Sequence, residues 1–338
     1  MRWYTIALAM LAQSKLNKKM NFKNLVLLFA LFPTMAWLGA SDKREKQAGP
    51  KPNQLVQKSR LLELTGKFDD AKLSKEVRIL WLSGPEDHGG GEHDYIRVKE
   101  LFVPMLKSIS HITVEEAFGF PTQEQFDAAD VLIQYLHLPD LRDEQFKMFR
   151  NFVSSGGGVV SIHESCIMRP IDQAERLAEC IGCSWKGNRE SKWSKFGHDY
   201  PLFLDTTHPA FTGLPKSVRL NDESYWNLLK GENVKVIGAL NRDTESKSFA
   251  EILESDGVRS DAFWTYELGK GRVFGTTTGH FTYTYYDPVY RLLLMRGLGW
   301  VLNEDPAPLM PIVFEGITTD EGLVGTTDTM MNYKNRAR

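Results

Sequence analysis

"VRILWLSGPEDHGGGEHDY", residues 77–95, joins an apolar run to a loop with two histidines, three consecutive glycines and several acids. The run Val77–Gly84 is bounded by Gly and Pro, the pattern of a strand buried in a parallel sheet. The loop behind it has no ordinary surface composition. Glycine reaches backbone conformations closed to other residues, at a cost in chain entropy. Gly89, Gly90 and Gly91 together therefore fit a loop that must bend tightly and aim His88 and His93 at something bound.

Outward from this stretch, the patterns alternate. A helix is expected from about Tyr95 to Ser108, with Val98, Leu101, Phe102 and Leu106 near helical spacing. "ITVEEAF" (112–118) alternates as a strand, and "VLIQYLH" (131–137) is a second buried run. Asp143–Val153 reads as a helix, and "GGGVVSIHES" (156–165) as a strand entered through a glycine turn. Strand, helix, strand, helix, strand argues for an α/β fold with a parallel sheet flanked by helices. Ligands in such sheets bind beyond the carboxyl ends of the strands. His88 and His93 follow one such end and His163 sits at another, so the fold should bring them to one edge.

The second half is richer in strands. "FLDTTHPAF", "SVRLNDESYW", "VKVIGAL", and the pair "AFWTYEL" and "RVFGTTTG" joined by Gly269-Lys270-Gly271, suggest added strands and one tight hairpin. Helix resumes from Val289 to Leu302. This puts the domain at 76–304, after a solvated linker at 41–75 with one helix at 56–65, and before an extended C-terminal tail at 305–338. Residues 1–40 read as a signal region: Lys23, an apolar run from Leu25 to Leu38, then Gly39 and Ala40. Met20 is an alternative start and cleavage is expected near Ser41. The protein is thus expected to be exported, periplasmic or extracellular, with no stable membrane span after cleavage, since the run is short and contains Pro33.

The net charge of −2 is scattered over both signs, which disfavours a nucleic-acid partner. No G-x-G-x-x-G or phosphate loop follows a strand, so no nucleotide cofactor is expected, and no G-x-S-x-G or G-x-C-x-G elbow appears. Cys180 and Cys183 form a single C-x-x-C, read as buried thiols or a local disulfide. Cys166 is not expected to be a nucleophile, because nothing nearby in sequence depresses its pKa.

Several residues remain as carriers of chemistry. His163, beside Glu164 and Ser165, is a polar ring at the end of a buried strand and needs a partner there. His280 ends "GTTTGH" and is followed by "FTYTYY". Tyr283, Tyr285, Tyr286 and Trp264 could offer flat faces to a sugar, or could be core. His88 and His93 are candidate ligands of a divalent metal such as zinc, with Glu92 or Asp94 behind them. Glu223 and Asp222 in "NDESYW" offer carboxylates for acid–base work, or form a solvated turn. His208 precedes a proline and shapes a turn or lines a cleft.

Taken together, "HGGGEHDY", "GGGVVSIHES", "HPAFTGLP", "DESYW" and "LGKGRVFGTTTGH" resemble the ThuA-like (trehalose utilisation) family from about Val77 to Asn303. The resemblance implies a flavodoxin-like, class I glutamine amidotransferase-like fold and the handling of trehalose-like disaccharides or their keto forms. Amidotransferases of that fold carry a cysteine at a strand-to-helix elbow. Here "SIHES" occupies that region with His163, and Cys166 lies three residues later, so glutaminase chemistry is not implied. The expectation is an exported enzyme of the hydrolase, lyase or isomerase type that acts on a sugar or keto-glycoside. His163, His280 and Glu223 would be catalytic, with substrate against Trp264, Tyr283, Tyr285 and Asp94. Its partner is a small-molecule carbohydrate; the alternative is a non-catalytic carbohydrate-binding module. The residues name neither the sugar nor the metal nor the oligomeric state.

Overall fold

A computed structural model describes residues 57–197, 200–241, 248–254, 259–319 and 322–324. The expected signal region, its cleavage point near Ser41 and most of the linker lie outside them. Helix α1 (Lys58–Thr65) stands where the linker helix is expected, with Leu61 buried. Strand β1 (Val77–Ser83) is buried at every position but Arg78. Helix α2 (Tyr95–Lys107) follows, and its buried Tyr95, Val98, Leu101, Phe102, Met105 and Leu106 recur three and four apart. Next come β2 (Ile112–Phe118), β3 (Val131–Gln134), α3 (Asp143–Ser155), β4 (Gly158–Ile162) and α4 (Ile171–Ile181).

The strand-rich half supplies β5 (Lys192–Phe196), β6 (Leu202–Leu204), β7 (Ser217–Val218), β8 (Asp222–Trp226) and β9 (Lys235–Asn241). The hairpin β10 (Arg259–Leu268) and β11 (Gly271–Thr276) and the long helix α5 (Pro288–Leu302) complete the domain. Among the described residues these strands form one sheet in the order β2-β1-β3-β4-β11-β10-β9-β6-β7, with β8 paired to β5 and β10. The five strands from β2 to β11 are parallel, and β10, β9, β6 and β7 add antiparallel pairs. Two large apolar clusters sit on the two faces, one under α2 and α5 and the other under α3 and α4.

The register sets the site. β11 pairs in parallel with β4 so that Thr276 stands opposite Ile162. Both strands therefore end at the same level, and the residues just past them, His163 and Thr277 to His280, meet at one edge. β1 ends two strands away, with the glycine loop beyond it. No described helix is long and apolar enough to cross a membrane.

The reading of residues from Asp305 as an extended tail is corrected as far as Thr319. The apolar run around Leu309–Phe314 folds back, with Leu309, Met310, Ile312, Val313 and Phe314 buried. The fully buried Arg291 of α5 ties it down by donating to the carbonyls of Ile312 (3.0 Å) and Glu315 (2.6 Å). Cys166, Cys180 and Cys183 are free buried thiols, so the local disulfide considered for the C-x-x-C does not form.

Candidate metal centre

Three turns carry the site. The first leaves β1 through the glycine loop. Of its three glycines, Gly91 takes a left-handed φ of 89°, and His93 follows at 49°. A short antiparallel bridge, with His93 N donating to His280 O (2.9 Å) and Thr282 N to Gly91 O (2.9 Å), fastens this loop to the chain beyond β11. The second turn leaves β4 into a 3-10 turn at His163–Cys166, and His163 has φ 51°. A non-glycine residue in this region is uncommon and strained, and such residues cluster at functional sites. The third is Gly279-His280. Asp222, fully buried at the start of β8, accepts from the amides of Gly279 (2.8 Å), His280 (3.0 Å) and Glu223 (2.6 Å) and so fixes that turn.

His93, His163 and His280 converge. His163 Nε2 lies 3.1 Å from both His93 Nε2 and His280 Nδ1, and the last two are 3.0 Å apart. The opposite ring nitrogens decide what these contacts mean. His163 Nδ1 is 2.6 Å from the Thr277 carbonyl and His93 Nδ1 is 2.8 Å from Asp87, both acceptors. Those nitrogens therefore carry the hydrogens. His280 Nε2 is buried with no hydrogen-bond partner, 3.5 Å from the Glu92 carboxylate. The inner nitrogens of His163 and His93 are left as lone pairs, aimed at the point that His280 Nδ1 also faces. Tyr225, whose hydroxyl donates to His163 Nε2 at 2.7 Å, covers one of them.

Burial pushes the pKa of His163 and His280 down; His163 is lowered further by His93 and His280, and His280 by His93. Neutral rings are what metal coordination needs. With metal–nitrogen bonds of 2.0–2.1 Å, three ligands on one face are separated by about 2.9 Å in an octahedron and about 3.4 Å in a tetrahedron. The observed separations fall between these limits. The triad could thus hold a divalent ion, with His163 and His93 oriented from behind by the Thr277 carbonyl and the Asp87 carboxylate.

Glu223 faces the triad, with Oε1 3.6 Å from His280 Nδ1 and 3.9 Å from His163 Nε2. Burial, followed by the neighbouring charge of Asp222, pushes its carboxyl up to about 8. Glu164 pairs instead with His137 at 2.9 Å, and that pairing raises the imidazole's pKa. Asp87 approaches two further donor sets, one with His88 and His93 and one with His137 and Glu164. In both of these sets the donors already bond one another as carboxylate–imidazole pairs, whereas in the inner triad three imidazoles face one another with no carboxylate bonded between them and only Tyr225 reaching His163 Nε2.

The structure thus brings together His93, His163, His280 and Glu223. His88 is exposed at the rim, its ring centroid 3.7 Å from that of His93, and bonds Asp87 rather than pointing inward. Asp94 latches the loop, accepting from Gly91 N and Thr282 Oγ1. Tyr283 is half-buried and stacks on Phe281 at 4.8 Å near the same rim.

Two expected sugar contacts are corrected. Trp264 is fully buried with its indole N–H donating to Ile181 O at 2.8 Å, and it lies across Gly275, where a Cβ would stand 2.1 Å from the ring. Tyr285 is fully buried and donates to Gly279 O at 3.0 Å, supporting the turn from below. Their aromatic area is spent on packing. His208 bonds Thr265 Oγ1 (3.2 Å) and packs near Trp300, in the core rather than in a cleft. Cys166 is fully buried, and burial pushes its thiol far up, which suits no nucleophile. Asp87 and Tyr225 escaped the sequence reading. Tyr225 was findable, because strand alternation puts it on the same face as Glu223, two residues earlier.

A family profile described as "ThuA: Trehalose utilisation" matches residues 79–301. Among solved structures, a ThuA-like protein from Parabacteroides merdae aligns over 75% of this chain and 99% of its own, with 18% identity and a TM-score of 0.52. One from Bacteroides uniformis aligns over 71% and 99%, with 15% identity and a TM-score of 0.53. At this identity the likeness concerns the fold. No curated protein matches the sequence.

Proposed function

The chain belongs to the ThuA, trehalose-utilisation, family, and from that premise we propose that it is an exported, metal-dependent enzyme acting on a sugar or keto-glycoside. The observation that carries this reading is the convergence of three imidazole nitrogens, 3.0–3.1 Å apart, with the Glu223 carboxyl 3.6 Å from His280 Nδ1 beside them. A divalent ion such as zinc bound there supplies a Lewis acid that polarises a substrate carbonyl.

The rest of the chemistry belongs to the protein. His93, His163 and His280 would hold the ion, the first two oriented by Asp87 and the Thr277 carbonyl. Glu223 exchanges a proton with substrate, at the carbon beside the carbonyl or at a departing oxygen. Tyr225, its hydroxyl kept neutral by burial, bonds His163 Nε2 in the metal-free site and would turn that hydrogen toward substrate once the lone pair held the ion. A keto-sugar suits this set because its carbonyl acidifies the neighbouring C–H and eases elimination or isomerisation. Export rests on the apolar run behind Lys23.

Turnover of keto-trehalose by the zinc-loaded protein, against His163→Ala, tests the proposal. Zinc-dependent turnover lost in the variant supports it. Tight binding without turnover would make the protein a carbohydrate-binding module, and neither binding nor turnover would remove carbohydrate from the account.

A further inference from the structure

Trp193 is 57% exposed, and among the described tryptophans it alone is mostly open to solvent. Its place makes that exposure informative. β5 is an edge strand, paired only with β8, and the register sets Trp193 opposite Tyr225 and Lys195 opposite Glu223. Residues directly opposite in an antiparallel pair send their side chains to the same face. That face of β8 is the one from which Tyr225 reaches His163 and Glu223 approaches His280. Lys195 obeys the rule, its ammonium 3.0 Å from Glu92 Oε1 in the same site. Trp193 therefore stands on the site's own face, one strand spacing of about 4.8 Å farther out than Tyr225.

The surroundings restrict the occupant. On the same face of β5, two residues along, stands Lys195, whereas the adjacent Lys192 and Ser194 point to the other face. The Lys195 ammonium lies 4.7 Å over the Phe281 ring, which stacks on Tyr283. One open indole on the same face as the Lys195 ammonium does not make the apolar core of a protein interface, where charged residues are depleted. It does match a pyranose ring, with a C–H face for the indole and a rim of hydroxyls for the polar neighbours.

We infer that Trp193 forms a subsite for the second ring of a glycoside whose first ring meets the histidine triad, with Lys195 bonding its hydroxyls. This rests on the carbohydrate reading above and adds to it that the substrate extends at least one ring beyond the reacting unit.

The test is calorimetric binding of keto-trehalose and of methyl keto-glucoside to the zinc-loaded full chain, its Trp193→Ala and its Trp193→Phe variants. Trp193→Ala should weaken keto-trehalose roughly tenfold, the scale of a lost aromatic contact. Methyl keto-glucoside affinity and zinc content should not change, and Trp193→Phe should retain most of the disaccharide affinity. Equal disaccharide affinity in Trp193→Ala and the parent would overturn the subsite and leave the metal–sugar reading standing. Failure of the parent to bind either sugar would overturn both. A mass in solution that falls to half on Trp193→Ala would overturn the subsite by showing that a second copy covers the indole.

Discussion

His163 Nε2 stands 3.1 Å from His93 Nε2, and neither nitrogen has a hydrogen to offer the other, because Thr277 and Asp87 hold those hydrogens on the far sides of the rings. Two lone pairs at this distance repel unless a cation lies between them. The expected consequence is that His163→Ala lowers bound zinc from about one ion per chain to a small fraction of that, since a structural ligand is removed. Elemental analysis after equilibrium dialysis reads this directly, and full loading of the variant would count against the triad.

Asp87 should matter more than the histidine beside it. Removing the carboxylate behind a ligating imidazole typically weakens metal binding by roughly 10- to 100-fold. Asp87→Asn is expected in that range. The His88–Asp87 contact lies at the exposed rim, where such pairs are worth little, so His88→Ala should stay within about fivefold of the parent. Competition titrations against a chromophoric chelator measure both, and the reverse order would relocate the ion to the outer set.

The proton on Glu223 sets a pH dependence. Its folded pKa is pushed up to about 8 by burial and by Asp222, so the folded state keeps a proton that the unfolded chain releases near the ordinary glutamate value. The stability this contributes is full below the unfolded pKa and is lost as pH rises towards 8. Glutamine stays neutral throughout. Metal-free Glu223→Gln should therefore gain stability relative to the parent as pH rises from about 5 to about 8, and then gain no more. Melting curves in chelator across that range test it, and a constant difference would mean that Glu223 titrates normally.

Trp264 belongs to folding and not to binding. Trp264→Ala should cost about 3–5 kcal/mol of stability, as loss of a large buried aromatic does. Zinc affinity of the surviving folded protein should match the parent's. A variant that melts normally but loses sugar binding would restore Trp264 to the site.

The two halves of the chain were legible in the sequence to different degrees. β1, β3 and β4 are short near-continuous apolar runs, so the parallel sheet and the edge holding His93 and His163 follow from pattern. Trp264 misled because an aromatic near polar residues looks the same whether its face is open or pressed on Gly275. The partner of His93 was invisible for another reason. Asp87, Glu92 and Asp94 are equivalent in the sequence of a flexible loop, and only the bridge from Gly91–His93 to His280–Thr282 decides which carboxylate stands behind the ring. Residues 309–314 were misassigned because the prolines around them suggested a tail, whereas their apolar side chains are drawn into the core beside Arg291.

The most direct test is an anomalous difference map from a zinc-soaked crystal, with data collected on both sides of the zinc edge. One strong peak is expected, bounded by His93 Nε2, His163 Nε2 and His280 Nδ1, at about 2.0–2.1 Å from each. No peak there, or a peak held by Asp87 and His88 with the inner nitrogens bridged only by hydrogen bonds, would contradict it.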